Sequence, residues 1–453
     1  MYHGDAGPGP KELKALKALR APVLAPGTRP RVTRTVVLLG TVSMLTDISS
    51  EMVASVLPIY LFTVLRLSPL EFGVVDGLFN GSAALVRLIF AHWADRTRQH
   101  KRIAFLGYAL SALSRLGLFI AGLGGWISVA IVLLLDRIGK GIRTAPRDAM
   151  IAQASDPASV GAAFGVHRAL DAVGALIGPL IATALLLAWP GRFDAVFAVS
   201  VVFALAGLYV LGRWVRVPAA NAVNAVDAQG AAGAAAPEPS ANAGAPAGSF
   251  LAGLATNLRT VMTVPFVALC LCCTLLATFT VSDNMLYLGV QANAGFNAAY
   301  LPMMFVATAG VFMLLAVPMG RLADRIGPWR LFVMAHGGLG VLYAVVGLHA
   351  VPVAWSPWVT VLLLGSYYAA TEGVVMALLA RKLPAEVRAT GMAVVTSLIA
   401  LARMVASVAF GWVWTERSHE VALGIFAAGL VLSLLLTAWV MRRWGDAVAA
   451  QPR

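Results

Sequence analysis

Over 453 residues the chain is 59% hydrophobic and only 12% charged, with a mean hydropathy of +0.81. That balance excludes a soluble globular protein and describes an integral membrane protein. The net charge of +13 does not point to nucleic acid, because the basic residues flank apolar runs and sit on one side of them. Cys270, Cys272 and Cys273 fall together in one apolar span and read as packing residues, not as a metal site.

Apolar runs of about 20 residues, the length that crosses a bilayer, predict an all-α protein with twelve transmembrane helices. In the first half they run at 35–65, 70–92, 103–123, 126–146, 161–187 and 193–213. In the second they run at 264–289, 299–319, 329–349, 356–380, 389–414 and 421–441. With both termini cytoplasmic, 25 Lys or Arg fall on the inner side and only Arg66, Arg192 and Arg417 on the outer, which satisfies the positive-inside rule. The organisation that follows is a basic cytoplasmic segment (1–34), a six-helix half (35–213), a flexible cytoplasmic linker with an amphipathic approach (214–262), a second six-helix half (263–441) and a tail (442–453). Within the first segment, Leu13, Leu16 and Leu19 share one face of a basic stretch, which reads equally as an interfacial helix or a disordered tail.

The first span carries Ser43, Asp47, Ser50, Glu51 and Ala54 on one face. Two carboxylates one turn apart at low dielectric resist joint ionisation, which is the chemistry a proton-coupled carrier needs. The plain alternative is a hydrogen-bonded helix contact. Pro58 is expected to bend this helix near its outer end. The second span holds Asp76, Asn80 and Arg87 and leads into Ala91 to Arg102; a related string starts 229 residues later at Gly320, so the chain is an internal duplication.

In the fourth span the apolar run Trp126 to Leu135 is too short to cross, so the span must draw on Asp136 to Asp148. On a helix Asp136, Lys140, Arg143 and Arg147 fall within an arc of about 60°, a charged stripe suited to line a polar cavity. The alternative is a short span ending near Arg137 with a basic loop beyond it. Gly139 and Gly141 suit close helix packing. In the fifth span His167 and Arg168 precede Asp171 by one turn, as a proton relay or as a fixed ion pair. The seventh span ends in a polar cluster, Thr278 to Asn284, with Asp283 within it. The tenth has Tyr367, Tyr368 and Glu372, read as a substrate wall, with Arg403 of the eleventh as counter-ion.

Several of these residues carry a resemblance. Asp95-Arg96 and Asp324-Arg325, each in the inner loop after the second helix of its half, resemble the G-x-x-x-D-R-x-G-R-R/K signature of the major facilitator superfamily. The second copy keeps Gly320 and Gly327, while the first has Ala91 and Arg98 in those places. Arg137 and Gly141 resemble the R-x-x-x-G of the family's fourth helix. Gly174, Gly178 and Pro179 resemble the G-x-x-x-G-P element common in antiporting exporters, with Ala182 and Thr183 where its closing glycines usually stand. Asp136 to Asp148 is also similar to a run in a bacterial and archaeal branch of the superfamily. The resemblance covers about 35–441 and implies two six-helix halves working by alternating access, with Asp95, Arg96, Asp324 and Arg325 as gating loops.

The expected function is secondary active transport of a small solute. No G-x-x-x-x-G-K-S/T loop or sizeable soluble domain supplies ATP, and seven scattered histidines build neither a metal site nor an enzyme centre. The site is expected between the halves near mid-depth. There Asp47 and Glu51 exchange protons, Arg137 and Lys140 beside Asp136 hold a carboxylate or anionic substrate, and Asp283, Tyr368 and Glu372 form the opposite wall. Expected partners are the small-molecule substrate, protons and the lipid bilayer, with no cofactor, metal or nucleic acid. The expected state is a monomer in a bacterial inner membrane. Export by proton antiport is favoured through Gly174 to Pro179; proton symport is the alternative, and a membrane-embedded enzyme is a third reading.

Overall fold

The computed structural model describes residues 32–82, 99–155, 160–216, 259–372 and 388–449, and among them there are helices and no strands. The expectations for Asp95, Arg96, Arg87, the basic stretch before residue 32 and the linker over 217–258 lie outside the described residues.

The first half comprises α1 (Arg34–Ile59), α2 (described over 69–82), α3 (His100–Ala121), α4 (Gly125–Gln153), α5 (Val160–Ala188) and α6 (Phe193–Arg213). The second comprises α7 (Val264–Thr278), α8 (Asp283–Ala294), α9 (Leu301–Ile326), α10 (Pro328–Gly347), α11 (Ser356–Thr371), α12 (Arg388–Glu416) and α13 (His419–Ala449). Among the described residues, nine helices are long and apolar enough to cross a membrane. The order follows the twelve-span expectation, with the second and tenth spans described only in part. The fourth span is absent from the nine because Asp136, Arg137 and Lys140 interrupt its apolar run.

Local chemistry sets the helix ends. The Thr33 hydroxyl accepts from the Val36 amide at 3.4 Å and caps α1. Pro58 lies inside α1, which gives way after Ile59 to a π-helical turn over Tyr60–Val64, as expected where an i to i−4 bond cannot form. In the second half α7, α9, α10 and α11 each have proline in their opening turn, where the missing N–H costs nothing. Gly327 ends α9 with φ at 93°, so the turn of the second loop signature does require its glycine.

Two sequence expectations are settled here. α4 is one continuous helix from Gly125 to Gln153, which overturns the alternative of a basic loop after Arg137. The seventh span, expected as one helix, is broken: α7 stops at Thr278, and α8 starts at Asp283 after a non-helical step. Backbone freed at mid-span must find partners within the protein. The Val281 amide donates to the Tyr343 hydroxyl at 2.8 Å, and that hydroxyl donates to the Phe279 carbonyl at 3.4 Å.

Glycines let helix backbones touch where the functional side chains need to converge. A Cβ on Gly178 of α5 would lie 2.7 Å from the Ile48 carbonyl oxygen, and one on Gly174 2.5 Å from that of Met44. Gly139 packs the same way against Gly107 and Ser111 of α3, as its sequence context suggested. Replacing Gly178 by leucine is therefore expected to force α1 and α5 apart at a cost of about 1–3 kcal/mol or more. A lowered unfolding midpoint of the detergent-purified protein checks this, and an unchanged midpoint refutes it.

The halves are clasped at the end that carries residues 65–68, which the charge count assigns to the outside. Gly73 and Gly77 of α2 lie against the carbonyls of Ser407 and Met404 in α12, the Leu70 amide donates to the Thr415 hydroxyl at 2.9 Å, and Phe62 stacks on Trp414. At the centre of this seam the buried Asp76 carboxylate accepts from the Asn284 amide and the Ser407 hydroxyl, both at 2.6 Å, and from Asn80 at 3.2 Å.

Candidate functional site

Behind the clasp lies a cavity of about 420 Å³ between the halves. From the first half it is lined by Glu51, Ser55, Phe79, Asn80 and Arg137; from the second by Thr280 to Asn284, Phe305, Tyr368, Thr396 and Arg403. Each half thus contributes one arginine and one acid. The break between α7 and α8 supplies Thr280 to Asn284, so a discontinuous helix opens onto the cavity wall, where irregular backbone is tolerated.

The side chains are individually held. Arg137 sits over the Phe79 ring with its guanidinium carbon 3.8 Å from the ring centre, a cation–π contact that holds it at the cavity wall. Asp283 accepts a 2.5 Å hydrogen bond from the Tyr368 hydroxyl. Arg403 donates to the Tyr367 hydroxyl at 3.4 Å, and Tyr367 also meets Nε2 of the buried His336 at 3.3 Å. A side cavity of about 330 Å³ shares Asp283, Tyr368 and Arg403 with the central one and adds Tyr287, Thr308 and Glu372. Glu372 caps the end of α11 in extended conformation. Among the described residues it makes no ion pair within 4.0 Å with Arg403, so Arg403 is not its direct counter-ion.

Of the residues singled out in sequence, Glu51, Arg137, Asp283 and Tyr368 come together in the central cavity, and Glu372 joins through the side cavity. Asp47 and Lys140 do not. They line a separate cavity of about 200 Å³ inside the first half, with Ser43, Thr46, Tyr108, Arg143, Thr144, Arg147 and Asp171. The charged stripe of α4 is therefore shared between two cavities.

Asp136 belongs to neither cavity. It is 1% exposed and bridges Arg115 of α3 at 2.9 Å and Arg137 at 2.8 Å, while Arg115 also donates to Ser50 of α1 at 3.0 Å. One carboxylate between two guanidinium groups ties three helices together, a structural role where a substrate contact was expected. Sequence reasoning missed Arg115, although a lone arginine inside the apolar third span was the signal that could have found it.

The fifth-span cluster is only partly assembled. His167 is buried and Asp171 faces the inner cavity, but Arg168 is exposed and makes no ion pair with Asp171 among the described residues. Gly174 and Gly178 serve the α1–α5 contact, with Pro179 following inside the helix. Asp324 and Arg325 lie exposed in the last turn of α9, beside the Gly327 turn. The cysteines are buried free thiols in α7, in keeping with packing.

The family model described as Major Facilitator Superfamily matches residues 39–407. An uncharacterized MFS-type transporter of Methanocaldococcus jannaschii is 34% identical over 171 residues, which are 38% of this chain and 42% of that protein. An uncharacterized protein of Mycobacterium tuberculosis is 35% identical over 161 residues, 35% of this chain and 39% of that protein. The chain thus spans about two fifths of the length of these curated relatives. Among solved structures, nucleoside transporter NupG superposes with a TM-score of 0.69 at 11% identity, covering 90% of this chain and 99% of that one. A D-xylose-proton symporter gives 0.63 at 15%, covering 89% and 95%. A POT family transporter in complex with 5-aminolevulinic acid gives 0.69 at 13%, covering 92% and 98%. These likenesses speak to the fold. Matched by the family model from its first span into its eleventh, the chain belongs to the major facilitator superfamily.

Proposed function

We propose that this protein is a proton-coupled secondary transporter that moves a small solute by alternating access, with export by antiport. The observation that carries this reading is the central cavity, to which each half gives one arginine and one acid behind a clasped seam. A solute bound between Arg137 and Arg403 would touch both halves at once, so binding energy can be spent on moving one half against the other. Glu51 stands in that cavity and Asp47 one turn away, so the acids of α1 are the proposed proton carriers. The resemblance of Gly174, Gly178 and Pro179 to the exporter element favours antiport over symport.

Reconstituted into liposomes with an imposed pH gradient, the parent should move a solute found by a thermal-shift screen. Glu51→Gln should stop gradient-driven accumulation while leaving solute exchange, because exchange needs alternating access but no net protonation. Accumulation at the parent rate in Glu51→Gln would remove that acid from coupling, and no pH-driven flux in the parent would remove coupling altogether. Both termini and the linker are proposed to be cytoplasmic. Reporter fusions after Arg20, within 225–245 and at Arg453 should all report cytoplasm, and a periplasmic signal from any of them overturns the topology.

A further inference from the structure

The side cavity of the second half has a chemistry of its own. On α9, Phe305, Ala309 and Phe312 recur at i, i+4 and i+7, which puts them on one face of the helix. Ala309 is exposed and both rings are half-buried, so the small residue opens a slot between two aromatic side chains. Behind it Tyr287 is wholly buried, edge to face with Phe305 at 4.7 Å, and its hydroxyl is taken by Thr308 at 2.7 Å. The Tyr368 hydroxyl is likewise committed, to Asp283. What these side chains offer the cavity is ring surface and not hydroxyl groups.

Arg403 stands where this slot meets the central cavity, since it lines both. A guanidinium group carries five N–H donors, yet among the described residues Arg403 makes one hydrogen bond, the 3.4 Å contact with Tyr367, and its Nε is buried without an acceptor. Asp283 and Glu372 line the same cavity, but neither makes an ion pair with Arg403 within 4.0 Å. The single bond is itself braced. The Phe332 carbonyl can only accept, so Nδ1 of the buried His336 carries the hydrogen at 2.8 Å, and in the neutral ring Nε2 accepts from Tyr367 at 3.3 Å. The Tyr367 oxygen is thereby left to receive Arg403. One edge of the cation is fixed on the protein and the rest is free to fork onto an anion. In the first half Arg137 repeats the pattern, with Asp136 on one nitrogen and a buried Nε that has no acceptor.

We propose that the solute is an aromatic carboxylate, its acid group held by Arg403 at the edge of the central cavity and its ring lying in the side cavity between Phe305 and Phe312. The proposal rests on the transporter reading above and names the solute class for that same site. At about 420 Å³ and 330 Å³ the two cavities fall in the ~300–1,000 Å³ range of small-molecule sites. A ring in the slot gains edge and face contacts that a saturated group does not. An aromatic cation would meet Arg403 with like charge, and a short aliphatic acid would leave the slot unfilled. Arg137 lines the cavity into which the carboxylate faces, so one charge can engage both halves.

Titration calorimetry on the full chain in detergent tests this with phenylacetate as the probe, phenylacetamide as its neutral counterpart and cyclohexylacetate as its saturated one. The amide should bind about 10-fold or more weakly than the acid, the loss expected for charge-assisted hydrogen bonds. The saturated acid should bind roughly 3- to 10-fold more weakly. Phe312 lines the side cavity and not the central one, so Phe312→Ala should erase the preference for the ring and keep that for acid over amide. Arg403→Gln should do the reverse; if it does not fold, Arg403→Lys keeps the charge and should keep the acid preference at lower affinity. No binding of phenylacetate, equal binding of acid and amide, or a ring preference that survives Phe312→Ala overturns the proposal. If such a protein still moves another solute under a pH gradient, the transporter reading stands. Binding as stated, in a protein whose liposomes show no pH-driven flux, leaves the solute class in place and overturns the coupling instead.

Discussion

Asp136→Leu is expected to destabilise the first half by about 3–5 kcal/mol, the cost of leaving buried charge uncompensated. The substitution strips the one carboxylate from between Arg115 and Arg137, both nearly inaccessible, and leaves two guanidinium groups facing each other. Arg115→Leu alone is milder, because Asp136 keeps Arg137. The double variant Arg115→Leu, Asp136→Leu should recover most of the loss, since it removes a charge of each sign. Apparent unfolding midpoints in detergent, with size-exclusion profiles, provide the measurement. A parent-like midpoint in Asp136→Leu would return Asp136 to the solute site, where binding should suffer and folding should not.

Asp76→Ala is expected to shift the balance between conformations more than any other single change at the seam. The carboxylate holds Asn284 and Ser407 of the second half at 2.6 Å each, and hydrogen bonds to a charged group are worth about 1.5–3 kcal/mol. A net loss of about 3 kcal/mol changes the ratio of clasped to open forms by roughly 100-fold. Distances between spin labels on α2 and α12 should lengthen, and net transport should fall because one of the two alternating states is depopulated. Unchanged distances in Asp76→Ala would mean that the glycine contacts alone close this end.

Much of the fold was legible because span length, basic asymmetry and duplicated loop strings each constrain it independently. The site was legible only residue by residue. Glu51, Arg137, Asp283 and Tyr368 declared themselves as polar groups in apolar runs, and the structure gathers them. Periodicity says which face of α4 is charged but not which neighbour each charge meets, so it could not foresee that Arg137 and Lys140 serve different cavities. It also placed Asp47 with Glu51, because residues one turn apart share a face. The finer partition comes from α5, whose glycines press it against α1, so that Asp171 lines the inner cavity with Asp47 while Arg168 stays exposed. The break in the seventh span was missed for a related reason. Thr278 to Asn284 contains neither proline nor glycine, and its backbone is freed by a tertiary bond to Tyr343, 62 residues away.

The seam between α2 and α12 also says what its opening leaves behind. Gly73 and Gly77 meet backbone carbonyls and the pliant side chain of Met404, so little branched apolar side chain is interlocked along this part of the contact. Parted strips of this kind present glycine, peptide oxygens and the polar ends of Asp76, Asn80 and Ser407, a surface that water wets readily. Apolar area newly exposed costs about 25 cal/mol per Å², a cost that falls on the aromatic contact of Phe62 with Trp414 more than on the glycine strip. Hydration can take over the Asp76 hydrogen bonds as they break, so flooding the seam offsets the polar part of the work of opening it.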